Sequence, residues 1–393
     1  MADKMKVKIV TLGCKLNFAE SSALMNTLTE RGHIRAKENE EADIVIVNTC
    51  SVTDTADHKD RQAIHRIKRE NPQAKVIVTG CYAKLKPREI AEMIEVDHVW
   101  QKNDEVFQPA FSRDDRTRCF LKVQDGCNYF CTYCTIPLAR GRSRNPKICD
   151  VVSEAQSALE QGAKEIVLTG VNIGDFGRST GETFIELLRQ LDNINNTEYR
   201  MRISSCEPNL LTDEIIHFVA ESKHFAPHFH IPLQSGSDEM LRIMNRHYDT
   251  KLFTERIQLI RELMPNAFIG VDCMVGVRGE REELWDEYVR YVRALDVSQL
   301  HVFTYSERDN TRMLKMPLEV IPKKERERRS KVLHKISDEK LAAFYERNRG
   351  MTAVVLWESK RSGGMMSGFT ENYIKVSREY DKSRVNTFEE III

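Results

Sequence analysis

The chain has 393 residues, of which 41% are hydrophobic and 30% are charged, a composition typical of globular proteins. Its 59 Lys and Arg residues equal its 59 Asp and Glu residues, so the total charge does not indicate an anionic partner, although local basic patches can still bind nucleic acid. No apolar run is long enough to cross a bilayer, and the first residues lack the apolar centre of a signal peptide. We therefore expect a cytoplasmic protein without membrane contacts, whose ten cysteines serve metal binding, catalysis or packing rather than disulfides.

The first hundred residues alternate short β-branched runs with polar helical stretches, which predicts an open parallel α/β sheet with helices on its faces. Three of these runs are KVKIVTLGC (6–14), DIVIVNTC (43–50) and KVIVTGC (75–81). Each run ends in a cysteine, namely Cys14, Cys50 and Cys81. Because the carboxyl ends of parallel strands share one edge of a sheet, the three cysteines are expected to meet in space. Burial of each as a small hydrophobic residue is the alternative.

Polar residues at 111–116 are predicted to be a linker, after which the alternation restarts with longer units. Six candidate strands follow: 118–126, 165–172, 199–208, 228–234, 268–276 and 299–306. Amphipathic segments lie between them, so we expect a partial (β/α)6 barrel with its chemistry at the carboxyl ends of the strands. The expected domains are 1–112, 113–312, a helical connector at 313–349, and 350–393.

The last segment offers at least three short strands, TAVVLWES, SGFTENYIKVS and RVNTFEEIII, separated by glycines. They predict a small all-β module resembling an oligonucleotide-binding fold. Such modules often bind nucleic acid, and they also often only cap a fold. Phe369 and Tyr373 could stack on RNA bases there, or belong to the core. In the connector, the basic run 323–335 is expected to be a solvated helix face.

The stretch DGCNYFCTYC (125–134) places three cysteines, Cys127, Cys131 and Cys134, directly after the first strand of the predicted barrel. A structural zinc site would need four ligands, so a zinc knuckle is the weaker interpretation. Thiolates are the usual ligands of iron–sulfur clusters, and a four-iron cube held by only three of them has one iron that is open to a second molecule.

This motif resembles that of the radical S-adenosylmethionine superfamily, and further segments extend the resemblance to its methylthiotransferase family. These segments are TLGCKLN (11–17), NTCSVT (48–53), TGCYAK (79–84), VQDGCNYFCTYCTIPLARGRSR (123–144), HIPLQSGSDEML (230–241) and GFTENYIKV (368–376), the last similar to the TRAM module. The resemblance implies two 4Fe–4S clusters and S-adenosyl-L-methionine as cofactors. It assigns Cys127, Cys131 and Cys134 to the radical cluster, and Cys14, Cys50 and Cys81 to an auxiliary cluster.

The motif TLGCKLN is similar to the motif of the branch that acts on N6-threonylcarbamoyladenosine at position 37 of tRNA. Lys15 and Leu16 carry much of this similarity. The branch acting on isopentenyladenosine tends to carry YGCQMN, and the branch that modifies a ribosomal-protein aspartate tends to carry LGCPKN. These two branches remain alternatives. A non-catalytic iron–sulfur electron carrier that binds RNA is an alternative of another class.

The implied reaction uses two molecules of S-adenosylmethionine. One methylates sulfur held at the auxiliary cluster, and the other gives the 5′-deoxyadenosyl radical that removes hydrogen from C2 of the adenine. This C2–H bond has no acidic character, so acid–base groups alone could not activate it. The implied partners are tRNA with an adenosine at position 37, an electron donor such as flavodoxin or ferredoxin, and a sulfur donor.

Two segments depart from the family pattern and leave the shape of their loops open. GVRGE (276–280) stands where the family often has GFPGE, and FTYS (303–306), followed by ERDNT, stands where it has FPYS. Neither departure removes a cysteine.

Other side chains are candidates by position. Four lie at the ends of predicted strands and are expected to contact the cofactor: Gly170, Asn172, Ser204 and Gln234. The glycines of TGVNIG (169–174) would let a ligand approach the backbone closely, although an ordinary β/α turn explains them as well.

Three arginines that follow the radical motif are expected to bind substrate phosphate or carboxylate: Arg140, Arg142 and Arg144. A solvated basic turn is the alternative. Cys119, Cys206 and Cys273 lie in or beside predicted strands, so burial is expected for them. His230 is expected to be a core histidine rather than a catalyst.

Overall fold

The computed structural model describes residues 4–37, 39–101, 107, 109–112, 117–195 and 198–393. Its first sheet has five parallel strands: β1 Lys6–Thr11, β2 Ile34–Arg35, β3 Ile44–Thr49, β4 Lys75–Gly80 and β5 His98–Val99. Four helices belong to this part: α1 Lys15–Glu30, α2 Asp54–Glu70, α3 Cys81–Leu85 and α4 Pro87–Ala91. The strand order is β2-β1-β3-β4-β5, so the three predicted strands lie side by side.

The sequence explains these elements locally. β3 reads IVIVNT and is buried along nearly its whole length, as expected for a parallel strand covered on both faces. α2 begins where the Thr53 side chain accepts a hydrogen bond from the amide of Ala56, with acidic residues in its first turn and basic residues in its last.

The second part contains the six predicted barrel strands. They are β6 Arg118–Lys122, β7 Glu165–Thr169, β8 Arg200–Ile203, β9 His228–Gln234, β10 Phe268–Val275 and β11 Gln299–Thr304. The helices are α5 Ile136–Arg140, α6 Ile148–Glu160, α7 Phe184–Asp192, α8 Asp213–Glu221, α9 Asp238–Ile243, α10 Thr250–Leu263 and α11 Glu282–Ala294. Strands β6-β7-β8 and β9-β10-β11 form two parallel sheets, and the parallel bridge between Ser205 and His230 joins them. The arrangement confirms the predicted mixed α/β fold with six β/α units.

Alternate residues of these strands face opposite ways. One set, including Leu121, Leu168 and Val271, packs with the surrounding helices in the main hydrophobic core. The other set faces the space that the six strands enclose. We call this space the lumen. α1 of the first sheet covers part of the lumen, because Ala19 packs with the inward-facing Phe120.

The chain then forms α12 Lys323–Arg347 and an antiparallel sheet of β12 Thr352–Ser362, β13 Met365–Phe369, β14 Lys375–Glu379 and β15 Phe388–Ile392. The strand order is β14-β13-β12-β15, which confirms the predicted all-β module. The basic run 323–335 lies on α12, and Lys323, Lys324 and Arg328 are exposed, as expected for a solvated helix face. The other side of the helix is packed, because Leu333 is buried and the buried Arg329 pairs with Glu280 at 2.9 Å.

The all-β module docks on the lumen. Arg202 donates hydrogen bonds of 2.7 Å to the carbonyl oxygens of both Thr370 and Glu371. Phe369 and Tyr373 stack on each other, with ring centroids 4.7 Å apart, at this junction. Their packing favours a core role over the stacking of RNA bases.

The four-part division at 112, 312 and 349 remains our proposal for the domains. Of the predicted linker, residues 113–116 lie outside the described residues, whereas Phe111 is buried and bridges to Leu121. Among the described helices, none combines the length and apolarity that crossing a bilayer requires.

Candidate functional site

Cys14, Cys50 and Cys81 lie at the carboxyl ends of three adjacent parallel strands. Cys14 caps the start of α1, Cys50 follows β3 directly, and Cys81 is the first residue of α3. The pKa of Cys50 is raised to about 12, chiefly by burial and in part by the nearby thiols of Cys81 and Cys14. Cys50 and Cys81 are buried and Cys14 is exposed. The three thiols therefore lie close enough to interact electrostatically.

Tight turns hold these thiols. Gly13 has φ +116°, and a Cβ there would lie 2.7 Å from the Cβ of Cys50, so only glycine fits this approach. The Asn17 side chain donates to the carbonyls of Leu12 and Thr49, both at 3.0 Å, and so ties the first two turns together. The amide of Cys50 donates to the Asp60 carboxylate at 2.8 Å.

A buried arginine on the barrel side faces this cysteine edge. Arg140, the last residue of α5, donates to Asn17 at 2.6 Å, to Glu20 at 3.1 Å and to Asp125 at 3.1 Å. Burial raises the pKa of the Cys81 thiol, whereas the adjacent Arg140 guanidinium lowers it. Arg140 therefore joins the two parts of the chain beside a cysteine.

Two further cations share the same carboxylates. Lys122 lies 2.9 Å from Glu20 and 2.8 Å from Asp125, and Arg144 lies 3.0 Å from Asp125. Among the described residues, this buried network has three cations and two carboxylates. The surplus positive charge lies on the side where Arg140 meets Cys81, which suits a thiolate or an anionic cluster.

The second set of cysteines lies on the loop between β6 and α5: Cys127, Cys131 and Cys134. Hydrogen bonds reach all three sulfurs. The amides of Tyr129 and Ile136 donate to Cys127 and Cys134, both at 3.4 Å, and Arg246 donates to Cys131 at 3.0 Å. Burial raises the pKa of Cys127 to about 11 and that of Cys134 to about 12. Donors at sulfur are a recognised means of tuning iron–sulfur clusters.

Sequence reasoning missed Arg246, which lies 112 positions after Cys134 in the chain. Its guanidinium is buried and forms an ion pair with the half-buried Glu207. Burial raises the pKa of Glu207, and the pairing with Arg246 lowers it. The carboxylate of Glu207 balances the charge of Arg246. The guanidinium therefore reaches the sulfur of Cys131 without adding an unpaired buried charge.

The two cysteine sets meet across the domain junction. The hydroxyl of Thr135, which follows Cys134, donates to the carbonyl of Ser51, which follows Cys50, at 3.5 Å. Helix α3, which begins at Cys81, packs on α5. The sets are therefore neighbours on either side of a single interface.

The predicted cofactor contacts follow three neighbouring barrel strands. Neither side-chain atom of the buried Asn172 has a hydrogen-bond partner among the described residues, although the amide lies near the Tyr129 hydroxyl. The buried oxygen of the Gln234 side chain is also unpartnered there, and Ser204 is buried at the end of β8. These polar groups are available to a ligand.

Gly170 is crowded by neighbouring protein groups, and its contact with the cofactor stays a prediction. A Cβ there would lie 2.9 Å from Oε1 of Gln124, whose side chain accepts hydrogen bonds from the amides of Val171 and Asn172. Gly174 is likewise crowded by Leu210. Packing within the protein thus accounts for both glycines, as in the alternative of an ordinary turn.

The three arginines after the radical motif differ from one another. Arg140 and Arg144 use their guanidinium groups on protein carboxylates, so the prediction that they bind substrate is not supported. Arg142 is exposed and lies 5.9 Å from the ring of the exposed Phe130. Of the three, Arg142 alone keeps the predicted role as a candidate.

His230 is half-buried and hydrogen-bonded, and its role as a core histidine rather than a catalyst stays a prediction. It faces the lumen, where Nε2 lies 2.7 Å from Asp272 and 3.3 Å from Nδ1 of His301. The three residues come from successive strands, so spacing in the sequence gives no direct signal of them. Cys119, Cys206 and Cys273 are buried as predicted, and Cys149 is exposed.

The two segments that depart from the family pattern contact each other. Arg278 of GVRGE donates to both carboxylate oxygens of Glu307, at 3.1 and 3.0 Å. Next to Glu307, the buried Arg308 donates to Ser51 at 2.6 Å and to Asp57 at 2.9 Å. These loops therefore help to fix the Cys50 turn to the barrel.

A cleft of about 470 Å³ opens beside Cys81 at the domain junction. Several basic residues line it: Arg31, Lys84, Lys122, Arg140 and Arg144. The cleft gives the cysteine edge a route to the surface.

Comparisons with known proteins agree with this two-part site. Residues 6–101 match the uncharacterized protein family UPF0004, and residues 121–292 match the Radical SAM superfamily. The chain is 34% identical to the threonylcarbamoyladenosine tRNA methylthiotransferase MtaB of Aquifex aeolicus (strain VF5), with 95% of this chain and 97% of that protein covered. It is 35% identical to the protein of the same name from Bacillus subtilis (strain 168), with 93% and 88% covered.

The chain belongs to the radical S-adenosylmethionine methylthiotransferase family. Within this family it is MtaB-like, and it is also 29% identical to the tRNA-2-methylthio-N(6)-dimethylallyladenosine synthase of Desulfitobacterium hafniense (strain Y51), over 99% of this chain and 95% of that one. Membership in the methylthiotransferase family makes the chain an enzyme and implies a 4Fe–4S cluster and S-adenosylmethionine.

Among solved structures, the radical S-adenosylmethionine methyltransferase TsrM from Kitasatospora setae has a similar fold. The TM-score is 0.56 at 15% identity, with 93% of this chain and 81% of that chain covered. The likeness concerns the fold alone.

Proposed function

We propose that this methylthiotransferase converts N6-threonylcarbamoyladenosine at position 37 of tRNA into its 2-methylthio derivative. The relatives named MtaB, 32–35% identical over 93–98% of this chain in four organisms, favour this substrate. The observation that carries the reaction is the hydrogen bond between Thr135 and Ser51, which directly follow Cys134 and Cys50 and so bring the two cysteine-bearing loops together. Chemistry that joins a methylated sulfur to a carbon radical needs its two centres side by side.

We assign the radical cluster to Cys127, Cys131 and Cys134, and an auxiliary 4Fe–4S cluster to Cys14, Cys50 and Cys81. Both sets offer three thiols, and metal binding would release the protons that burial now holds on thiols such as Cys50 and Cys134. When bound, the clusters and S-adenosylmethionine supply the sulfur, the methyl group and the radical. The protein holds these groups, orients them and excludes water.

The chain's own residues would act around these groups. The unpartnered amide of Asn172 and the unpartnered amide oxygen of Gln234, with Ser204, are placed to orient S-adenosylmethionine at the carboxyl ends of the strands. Arg246 and Arg140 stabilise negative charge at the radical and auxiliary thiolates, respectively. Arg142 is proposed to contact an RNA phosphate.

The remaining partners are also proposals. A sulfur donor would reach Cys81 through the basic cleft, whose charge suits an anionic sulfur species. An electron donor such as flavodoxin or ferredoxin would reduce the clusters.

The test is an anaerobic reaction of the reconstituted protein with reductant and S-adenosylmethionine, followed by nucleoside mass spectrometry. Three substrates are compared: tRNA carrying threonylcarbamoyladenosine, tRNA carrying isopentenyladenosine, and the ribosomal protein with its aspartate. A methylthio gain on the first substrate supports the proposal, and a gain only on another moves the chain to that branch. Intact, reducible clusters without any product would favour the non-catalytic electron carrier.

A further inference from the structure

Lys15 is the first residue of α1 and follows Cys14 directly. Its ammonium group lies in the lumen, where its electrostatic neighbours are Tyr373, Arg118, Arg202 and Glu165. The surrounding protein half-buries Lys15. An ammonium enclosed in this way normally has a carboxylate partner.

The other lumen cations nearby do have such partners. Arg118 lies 3.0 Å from Glu358, and Arg202 holds Glu165 through two contacts of 2.9 and 3.1 Å. Within the described part of the chain, Lys15 makes no hydrogen bond or ion pair. Glu165 is already engaged by Arg202 and by Arg200 at 3.4 Å, so it is not free to serve Lys15 as well.

A second lumen group also lacks a partner. His228 is only 7% exposed, and its Nδ1 has no hydrogen-bond partner in the described structure. Burial lowers the pKa of His228 well below its usual value, and Lys15 and Arg202 lower it further. The imidazole is therefore neutral at pH 7, and one of its nitrogens can carry a proton to donate.

We propose that Lys15, assisted by His228, binds the carboxylate of the threonyl group on the substrate base. The inference rests on the proposed function and adds a residue that determines its specificity. The threonylcarbamoyl group carries a carboxylate, whereas the isopentenyl group is uncharged and apolar. A lone ammonium in a protein lumen favours the first group and disfavours the second, because burying an apolar group there would leave the cation without a partner.

The position of Lys15 suits this role. Cys14 and Lys15 are consecutive, so their Cα atoms are about 3.8 Å apart. C2 of adenine, the carbon to be modified, and C6, which carries the threonylcarbamoyl nitrogen, belong to the same six-membered ring. A base brought to the sulfur held at the Cys14 edge would thus bring its N6 substituent toward the lumen side of α1.

The test compares two anticodon stem-loop RNAs, one with threonylcarbamoyladenosine and one in which its carboxylate is replaced by a carboxamide. Wild-type protein is expected to prefer the carboxylate by roughly 10- to 100-fold in kcat/KM. Lys15→Gln should lose that preference by slowing only the carboxylate substrate, and Lys15→Arg should retain part of it. Lys59→Gln, at an exposed position of α2, is the matched control and should behave as wild type.

Two further readouts separate specificity from damage. Lys59→Gln should keep the wild-type iron content and release of 5′-deoxyadenosine without RNA, and the rates of the Lys15 variants are expressed per chain that retains both clusters. Equal wild-type rates on the two stem-loops, or an equal loss on both in Lys15→Gln, would overturn the inference while leaving the proposed function in place. Failure of wild-type protein on the carboxylate RNA, together with modification of isopentenyladenosine RNA, would overturn the proposed function itself.

Discussion

Replacing Arg140 with methionine should loosen the auxiliary cluster, whereas replacing Lys122 with methionine should not. The two cations are matched, since both are buried and both contact Glu20 and Asp125. They differ in that Arg140 also lies against the Cys81 thiol.

The magnitudes follow from the charges. Removing either cation leaves two cations facing two carboxylates, so no buried charge is left without a partner. We therefore expect each variant to lose about 2–3 kcal/mol of stability, near the value of a charged hydrogen bond and below the cost of an unpaired buried charge. Loss of a partner beside a metal ligand typically lowers metal affinity by about 10- to 100-fold, and this applies to Arg140→Met alone.

Two measurements are needed. Thermal unfolding of the iron-free proteins compares their stabilities, and the rate of iron loss to a chelator under anaerobic conditions reports cluster retention. Wild-type and Lys122→Met proteins should hold about eight iron atoms per chain, and Arg140→Met should fall quickly to about four. Equal rates of iron loss in the two variants would refute the role given to Arg140, and wild-type protein with only four iron atoms would refute the auxiliary cluster.

Cys127→Ala should abolish release of 5′-deoxyadenosine, whereas Cys50→Ala should keep this release and lose methylthiolation, as chromatography of the products will show. Arg202→Met should destabilise the protein by about 3–5 kcal/mol, because Glu165 stays buried with a weaker partner, and hydrogen exchange at 370–376 should rise. Burial raises the pKa of Asp60 to about 7, so the folded chain retains a proton there that the unfolded chain releases above about pH 4. The stability of the iron-free protein should therefore fall between pH 4 and 7, and Asp60→Asn should reduce this fall in thermal unfolding.

Each of these expectations has a contrary result. Release of 5′-deoxyadenosine by Cys127→Ala would move the radical chemistry away from its loop. Unchanged exchange after Arg202→Met would mean that other contacts dock the all-β module. Parallel stability profiles for wild type and Asp60→Asn would show that Asp60 is ionised in the folded protein throughout this range.

The sequence was sufficient to predict elements whose pattern is local. Alternating runs located the parallel strands, and strand-end positions predicted that Cys14, Cys50 and Cys81 lie on one edge. The spacing of Cys127, Cys131 and Cys134 indicated an iron–sulfur site, because all three cysteines share one loop. Boundaries shifted by a few residues where a turn began, as at β7, which ends at Thr169.

What the sequence could not reveal depends on contacts between distant segments. Arg140 was expected to meet substrate, because its pairing with Glu20, 120 positions earlier, leaves no local pattern. Arg246 reaches Cys131 only through the folding of the barrel. The two segments that depart from the family pattern are joined by the Arg278–Glu307 pair, which links positions 29 residues apart.

The most direct test of the central claim uses RNA in which C2 of threonylcarbamoyladenosine carries deuterium. The protein, reduced anaerobically with S-adenosylmethionine, should transfer this deuterium to 5′-deoxyadenosine and add a methylthio group to the same base, both read by mass spectrometry. Release of 5′-deoxyadenosine without deuterium, and an unmodified base, would contradict the proposed reaction on this nucleoside.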